Sequence, residues 1–287
     1  MERIVYVNGE YLEEKDAKIS VFDRGFMFAD GVYEVAAILC GQLIENTQHL
    51  RRLRRSLQEL GMAAPADDST IESIQKELIR RNQVDEGIVY IQVTRGAADR
   101  DFAYSKELQP SLILFTQAKQ IVNFAAAETG ISVITTNDIR WARRDIKTVS
   151  LLAASMAKMM AVDSGADDAW LVDPKGNITE GSSSNAYIVT PEGVIVTRHL
   201  GNEILHGITR QAVLRLAEES GLQIEERPFS VTEAHQAQEA FITSAACFVL
   251  PVIQIDGNVL GDGKPGPVAI KLRRLYLSMA HEQIKVD

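Results

Sequence analysis

The sequence has very little cysteine and no long hydrophobic run. Only two cysteines occur among its 287 residues, Cys40 and Cys247, and they lie far apart, each in an apolar stretch. Such a pair fits neither a disulfide framework nor a zinc site. No apolar run approaches the length of a membrane span, and the N-terminus lacks the basic start and apolar core of a signal peptide. We therefore expect reduced thiols, no membrane partner and a cytoplasmic location.

The chain is also poor in positive charge and in histidine. Its formal net charge is -9, and its only dense basic cluster lies at residues 51–55, whereas nucleic-acid binding requires a clustered basic face. The five histidines form no H-E-x-x-H pair. The scattered glycines form neither a dinucleotide-binding fingerprint nor a Walker loop. These absences argue against a nucleic-acid partner, a metalloprotease site and nucleotide chemistry, and we expect no metal.

Hydrophobic periodicity predicts strands and helices throughout the chain. Helices are expected near Thr47, where leucines recur at helical spacing up to Gly61, and near Ser69, which forms a capping box with Glu72. Further helices are predicted after Lys147, over residues 208–221 and from Pro267 onward. Strands are predicted at residues 3–7, 32–39, 88–95, 111–116, 169–172, 186–189, 194–197 and 238–243.

This order of elements indicates a mixed α/β fold of the α+β class, because strands, hairpins and helices do not alternate strictly. The pattern is lost between residues 118 and 130, and a new strand begins at Ile131. We therefore predict a small N-terminal domain of residues 1–119 and a larger C-terminal domain of residues 120–287.

One helix start is a candidate anion site. In HGITRQAVLRLAEES, Gly207 precedes an amphipathic helix whose first residues are Ile208 and Thr209. Free backbone N–H groups and the positive end of the helix dipole can bind a phosphate there. Taken alone, this segment is better explained by an ordinary capped helix, since most helix starts bind nothing.

Three other segments contain unusual polar groups. TEGSSSN at residues 179–185 fixes Glu180 on a turn before a strand, and FITSAACFVLPV at residues 241–252 interrupts a strand with small residues. VTRGAADRDF carries Arg95 and Arg100 in a loop. A plain turn, a tight packing contact and solvated arginines are the respective alternatives.

Lys147 lies at the threshold of a buried helical pattern in RRDIKTVSLLAASMAKMM. A surface lysine is the ordinary interpretation, but the chain as a whole supplies an amine, a carboxylate, a helix start and guanidinium groups. Pyridoxal phosphate needs a lysine for its aldehyde, an acid for its ring nitrogen and a helix terminus for its phosphate. The residues permit this cofactor without proving it.

The sequence resembles the fold-type IV pyridoxal-phosphate enzymes, or class IV aminotransferases, and within them most closely the D-amino-acid transaminases. The resemblance covers nearly the whole chain. It is carried by DRGFMFADGVYEV (23–35), HLRRL (49–53), DIRWARRDIKTVSLL (138–152), TEGSSSN (179–185) and GITR (207–210). It implies a two-domain architecture with the active site between the domains, pyridoxal 5'-phosphate as cofactor, and a homodimer.

The resemblance also implies the roles of individual residues. Lys147 matches the lysine that is linked covalently to the cofactor, and Glu180 matches the acid that pairs with the pyridine nitrogen. Tyr33 matches a tyrosine that reaches the lysine and the substrate. The groups implied for the phosphate are Arg52 and the backbone amides of Ile208, Thr209, Ser244 and Ala245.

The implied substrate site departs from the family pattern at one position. Arg100 matches the arginine that binds the substrate carboxylate. The D-amino-acid transaminases carry a histidine two positions later, and here that residue is Phe102. The resemblance therefore implies an altered carboxylate site.

The expected reaction is a ping-pong transfer of an amino group between a D-amino acid, such as D-alanine or D-glutamate, and a 2-oxo acid. Several alternatives stay open. They are transamination of (R)-amines or of branched-chain L-amino acids, elimination of the aminodeoxychorismate lyase type, and a non-catalytic anion-binding role.

Overall fold

The computed structural model describes residues 2–286, which form two compact units. The first contains the residues up to Gln120 together with Ile146–Ser150, and the second contains Ile121–Asp145 and the residues from Leu151 onward. The return of Ile146–Ser150 to the first unit was not foreseen from the sequence. The assignment of residues 1–119 and 120–287 as domains stays a prediction.

The described part of the first unit is built on one antiparallel sheet of six strands, in the order β2-β1-β6-β5-β3-β4. The strands are β1 (Ile4–Val7), β2 (Glu10–Glu13), β3 (Gly31–Leu39), β4 (Gln42–Leu43), β5 (Gly87–Thr94) and β6 (Ser111–Ala118). This confirms the strands predicted at residues 3–7, 32–39, 88–95 and 111–116, to within a residue or two at most ends.

Its helices are α1 (Arg24–Phe28), α2 (Asn46–Glu59) and α3 (Asp68–Asn82). The predicted leucine face of α2 is confirmed, because Leu50, Leu53 and Leu57 are buried against the sheet in one apolar cluster with α3. Both predicted caps were wrong. The residue before α2 is Glu45, whose side chain makes no capping bond, and α3 is capped by the Asp67 carboxylate, which accepts from the Thr70 amide.

Residues 146–150 pair with the free edge of β3. The Tyr33 amide donates to the Lys147 carbonyl at 2.9 Å, and the Val149 amide donates to the Gly31 carbonyl at 3.1 Å. Ile146 is buried in the same apolar cluster as the leucines of α2. The backbone that carries Lys147 is therefore fixed to the strand that carries Tyr33.

The second unit is built on a nine-stranded mixed sheet, counted over the described residues. Eight strands follow the order β12-β11-β10-β13-β14-β7-β8-β9, and β15 pairs with β14. They are β7 (Ile131–Asn137), β8 (Asp168–Val172), β9 (Ile178–Gly181), β10 (Asn185–Val189), β11 (Ile195–Thr197), β12 (Ile224–Glu226), β13 (Glu239–Ser244), β14 (Phe248–Ile255) and β15 (Asn258–Val259). The parallel pairs are β7 with β8, β7 with β14, and β11 with β12.

The helices of this unit are α4 (Ala125–Thr129), α5 (Leu152–Asp163), α6 (Ile208–Glu219), α7 (Val231–His235) and α8 (Pro267–Val286). The helix that begins at Pro267 is confirmed, as is the helix that begins at Ile208. The short α4 lies in the stretch where periodicity is lost. Strands β9, β12 and β15 were not predicted. Residues 241–252, expected as one strand interrupted by small residues, are the end of β13, a turn and the first part of β14.

The mixed α/β class is confirmed by this inventory of elements. Within the described residues neither Cys40 nor Cys247 is in a disulfide, and Cys40 is exposed rather than held in an apolar environment. No helix within residues 2–286 has the length and hydropathy needed to cross a membrane.

Candidate active site

Lys147 and Tyr33 form the first part of the candidate site, in the first unit. The pairing of residues 146–150 with β3 brings Lys147 Nζ to 4.1 Å from the centroid of the Tyr33 ring. Both residues are half-buried. Within residues 2–286, no carboxylate forms an ion pair with this amine. An amine held against an aromatic face without a counter-charge is available for covalent chemistry.

A buried charge cluster lies beside this pair. Glu34, the residue after Tyr33, accepts from Arg52 Nε at 2.7 Å and from Arg52 Nη2 at 2.8 Å. Its Oε2 also lies 2.8 Å from His49 Nδ1. All three side chains are buried. Arg52 is therefore oriented by a bidentate ion pair rather than left mobile on α2.

The electrostatics of this cluster favour an ionised glutamate and a neutral histidine. Burial acts to raise the pKa of Glu34, but the Arg52 charge and the hydrogen bonds from Arg52 and His49 outweigh it and lower the pKa to about 2. Burial lowers the pKa of His49 below its ordinary value, and the nearby Arg52 and Lys147 charges act in the same direction.

Arg100 is not joined to this cluster. Its guanidinium lies 5.6 Å from the Phe28 ring and 5.8 Å from the Phe102 ring, in an exposed loop. In the described part of the first unit it makes no recorded contact with Tyr33 or Lys147. Phe102, the residue that departs from the family pattern, is 78% exposed.

Glu180 is the centre of the candidate site in the second unit. Its Oε1 accepts from Arg140 Nη1 at 2.6 Å, and its Oε2 accepts from Asn185 Nδ2 and the Leu205 amide, both at 3.0 Å. Burial raises the pKa of Glu180 above its ordinary value, while the Arg140 guanidinium and the Leu205 amide offset part of that rise. A ligand that brings its own positive charge would favour the ionised form further.

The start of α6 adjoins this carboxylate. No side chain caps the helix, and Gly207, Ile208 and Thr209 are buried. A Cβ on Gly207 would clash with Asn185 Oδ1, so only glycine permits this close approach. Within the described residues, the Thr209 hydroxyl has no hydrogen-bond partner. The helix start thus offers unsatisfied donors next to the Glu180–Asn185 pair.

Ser244 and Ala245 lie at the turn between β13 and β14. Asn185 is opposite Thr243 in the register of β10 with β13, so the turn begins one residue beyond the strand pair that carries Asn185. The Ser244 hydroxyl lies 3.1 Å from Cys247 Sγ. The second unit therefore brings Glu180, Ile208, Thr209, Ser244 and Ala245 into one neighbourhood around Asn185.

The donor set of the second unit fits pyridoxal phosphate. A buried carboxylate suits the ring nitrogen, and an uncapped helix start with a free hydroxyl suits the phosphate. Asn185 lies between the carboxylate and the helix start: its side-chain amide donates to Glu180, and its side-chain oxygen faces Gly207. In the first unit taken by itself, the sequence resemblance assigns the Lys147 amine and the Arg52 guanidinium to such a cofactor.

Several residues of these clusters were not given a role from the sequence. They are Glu34, His49, Arg140, Asn185 and Leu205. An acid in the otherwise apolar strand GVYEVAAIL was a usable signal for Glu34, because a lone buried acid requires a cation. Leu205 acts through its backbone amide, which no side-chain pattern reveals.

Comparisons with known proteins identify the family of this chain. Residues 31–255 match the family Amino-transferase class IV. A D-alanine aminotransferase of Staphylococcus aureus (strain MSSA476) is 37% identical over 275 residues, which cover 95% of this chain and 96% of that protein. A D-alanine aminotransferase of Bacillus licheniformis is 40% identical over 264 residues, with 92% of each chain covered.

A solved structure is similar as well. The branched-chain amino acid aminotransferase of T.th. with pyridoxamine 5'-phosphate has a TM-score of 0.86 at 27% identity, and the match covers 98% of this chain and 94% of that one. The expected fold-type IV architecture and pyridoxal-phosphate dependence are thereby confirmed. The chain belongs to the class IV aminotransferases, a family of pyridoxal-phosphate-dependent enzymes.

Proposed function

We propose that this aminotransferase exchanges an amino group between a D-amino acid and a 2-oxo acid. The observation that carries the proposal is the Lys147 amine, which contacts the face of Tyr33 and has no ion-pair partner within residues 2–286. The choice of a D-amino acid rests on the relatives of similar length, which are named D-alanine aminotransferases.

In this proposal Lys147 would hold the cofactor covalently, and its amine, when free, would carry the proton of the substrate Cα. Bound pyridoxal phosphate supplies an electron sink for the pair left by that proton. Tyr33 limits the positions of the freed amine, because its ring lies against Nζ. One lysine thus serves as anchor and as general acid–base.

Glu180 would keep the pyridine nitrogen protonated. Its Oε2 is fixed by Asn185 and the Leu205 amide, so the carboxylate is held in place before any ligand arrives. Arg52 and the amides of Ile208, Thr209, Ser244 and Ala245 would bind the phosphate. Glu34 would set the direction of the Arg52 guanidinium through its two bonds.

Arg100 would bind the substrate carboxylate by a charge-assisted pair. Phe102 adds no hydrogen bond to that anion, so we expect weaker dependence on a carboxylate than in enzymes with histidine there. This favours (R)-amines as second substrates. Branched-chain L-amino acids remain a further candidate because of the similar solved structure.

A half-reaction panel tests the proposal. The holoenzyme is mixed separately with D-alanine, L-leucine and (R)-1-phenylethylamine, and conversion of the cofactor to its amine form is followed by absorbance. D-alanine should react fastest, and the amine more slowly. Reaction with L-leucine alone would overturn the stereochemical assignment, and release of pyruvate from aminodeoxychorismate without amino transfer would favour the lyase.

A lysine variant tests whether Lys147 binds the cofactor covalently. Lys147→Ala should lose the cofactor attachment that borohydride makes permanent, together with steady-state turnover. Lys76→Ala is the matched control, since Lys76 is an exposed lysine that pairs with Glu72. Normal turnover in Lys147→Ala would remove Lys147 from the mechanism, and absence of any bound cofactor in the wild type would favour a non-catalytic protein.

The same proposal includes a homodimer and a cytoplasmic location. The family supplies the expectation of a dimer. Neither cysteine is in a disulfide within the described residues, which suits a reducing compartment. Sedimentation of the purified holoenzyme tests the dimer.

A further inference from the structure

We propose that Arg24 is a positioning residue for substrate binding, because it fixes the backbone of the loop that carries Arg100 and Phe102. The inference rests on the proposed role of Arg100 in binding the substrate carboxylate. Arg24 opens α1 and is only 3% exposed, so it acts through the loop rather than on the substrate.

The guanidinium of Arg24 is bonded on every side. Its Nε donates to Asp30 Oδ2 at 2.9 Å. Its Nη1 donates to the Asp101 carbonyl at 2.6 Å, and its Nη2 lies 3.5 Å from the Phe102 carbonyl. The two carbonyls follow Arg100 directly in the chain. A planar fork can reach both at once, which a lysine ammonium cannot do with the same geometry.

The first residues of the loop are held by backbone bonds, from the Arg24 amide to the Gly96 carbonyl at 2.9 Å and from the Ala98 amide to the Phe22 carbonyl at 3.2 Å. The middle of the loop has little other support. Between Arg95 and Pro110 the described backbone contains no helix and no strand. Apart from the bonds to Arg24, the hydrogen bonds near its centre join residues close in sequence; for example, the Ala103 amide donates to the Asp101 carboxylate. The bonds from Arg24 therefore link this stretch to the folded part of the unit over 77 residues of sequence separation.

A second buried arginine holds Arg24 in turn. Arg95 Nε donates to the same Asp30 oxygen at 2.8 Å, and its two Nη atoms donate to the carbonyls of Leu60 and Gly61. Burial acts to raise the pKa of Asp30, but the hydrogen bonds from Arg95 and Arg24 hold it below its ordinary value. Asp30 is thus an ionised anchor shared by two cations.

Aromatic rings complete the arrangement. The Arg24 guanidinium lies 4.5 Å from the Phe28 ring and 5.1 Å from the Tyr104 ring, and the Arg95 guanidinium lies 3.8 Å from the Tyr104 ring. Phe28 also contacts Phe102 and the Arg100 guanidinium. Arg24 and Arg100 therefore share the Phe28 ring, so a shift of Arg24 is passed to Arg100.

The test compares Arg24→Lys with wild type in the D-alanine reaction. Lysine keeps the charge beside Asp30 but loses the two-carbonyl fork. The KM for D-alanine should rise about tenfold, the loss expected for one charge-assisted hydrogen bond, while kcat changes by less than about threefold. Arg80→Lys, a surface arginine paired with Glu77, is the control and should match wild type.

A double-mutant cycle distinguishes a positioning role of Arg24 from a general loss of protein stability. Arg100→Ala alone should raise the KM strongly, and adding Arg24→Lys to it should change the KM by less than about twofold. If the KM of the double variant rises by the product of the two single-variant effects, the inference is overturned. If Arg100→Ala leaves the KM unchanged, the proposed role of Arg100 fails instead, and the two failures are thus distinguished.

Hydrogen exchange gives a readout other than activity. Arg24→Lys should speed amide exchange at residues 99–104 and leave α2 unchanged, whereas a generally weakened fold would speed both. Tyr104→Leu provides a second variant if Arg24→Lys does not fold, because Tyr104 is exposed and its loss buries no unpaired charge. It should raise the KM in the same direction, and unchanged exchange and KM in both variants would sink the inference.

Discussion

Glu34 illustrates how a charged residue can occupy a core position. It occupies a buried position in β3 between apolar neighbours, where an unpaired carboxylate would be strongly unfavourable. Arg52 and His49 on α2 provide its partners. The main effect of the Glu34–Arg52 ion pair is therefore to orient the Arg52 guanidinium, since a well-packed apolar pair would give similar stability.

This cluster makes the stability of the protein depend on pH. A carboxylate whose folded pKa is about 2, against an ordinary 4.5, contributes stability that is complete above pH 4.5 and is lost as the pH falls towards 2. His49, with a lowered pKa, adds loss of stability below about pH 6.5, because the unfolded chain takes up the proton first.

We predict that Glu34→Gln costs about 3 kcal/mol or more at pH 7, since Arg52 is left buried without its anion. The difference from wild type should narrow by about 1.4 kcal/mol between pH 6 and pH 3.5. Urea unfolding across this range measures it. Glu77→Gln is the matched control, because Glu77 also faces two arginines but is more exposed to solvent; a pH-independent difference for Glu34→Gln would contradict the prediction.

Single residues were predictable where chemistry and position coincide. Lys147 stands out because a cation precedes an apolar run, although the expectation that this run is buried was wrong, since Leu152 is 76% exposed. Glu180 stands out because an acid precedes three serines, and it lies in β9 rather than on the turn itself. His49 and Asn185 do not stand out. Their neighbours in space, Glu34 and Gly207, lie 15 and 22 positions away in sequence, and such pairings depend on strand register.

At the scale of elements, the start of α6 is the feature most sensitive to change. Gly207 has an ordinary φ of -63°, so the requirement for glycine comes from the close approach of Asn185 rather than from backbone strain. A side chain there must push either the helix start or Asn185 aside, and Asn185 supports Glu180.

We predict that Gly207→Ala weakens pyridoxal-phosphate binding by about tenfold or more, which corresponds to one lost hydrogen bond to an anion. Reconstitution of the apoenzyme with increasing cofactor, followed by absorbance, measures the affinity. Gly221→Ala, at the other end of the same helix and in open space, should lower stability without changing cofactor affinity. Equal cofactor affinity in wild type and Gly207→Ala would exclude the close-approach argument.

The presence of the helices was predicted better than the residues at which they begin. The leucine spacing identified α2, and Pro267 identified the start of α8. Each predicted cap lies two residues after the observed one. Glu45, Thr47, Asp67 and Ser69 all lie near helix starts, and residue type alone does not decide which of them caps the helix. Strands β9, β12 and β15 were missed because they have only two to four residues and depend on neighbours for pairing.

At the scale of the whole molecule, the main feature hidden from the sequence is the return of residues 146–150 to the first unit. Local patterning indicated a boundary near residue 120, because periodicity is lost there. Pairing between Val32 and Thr148, 116 positions apart, has no local signature. Lys147 is thus carried by a segment whose place depends on a distant strand.

We predict that a fragment of residues 1–120 is less stable than the same fragment with residues 146–150 attached through a flexible linker. The added segment buries Ile146, worth about 2 kcal/mol, and provides backbone hydrogen bonds to β3 of about 1 kcal/mol each, against the entropy of closing the linker. We expect a net gain of about 2 kcal/mol, measured by urea unfolding with circular dichroism. The same tail with Ile146→Asp should lose the gain, because it cannot enter the apolar cluster. Equal stability of all three fragments would show that residues 146–150 are not part of the folding unit, and would favour domains divided at residue 120 alone.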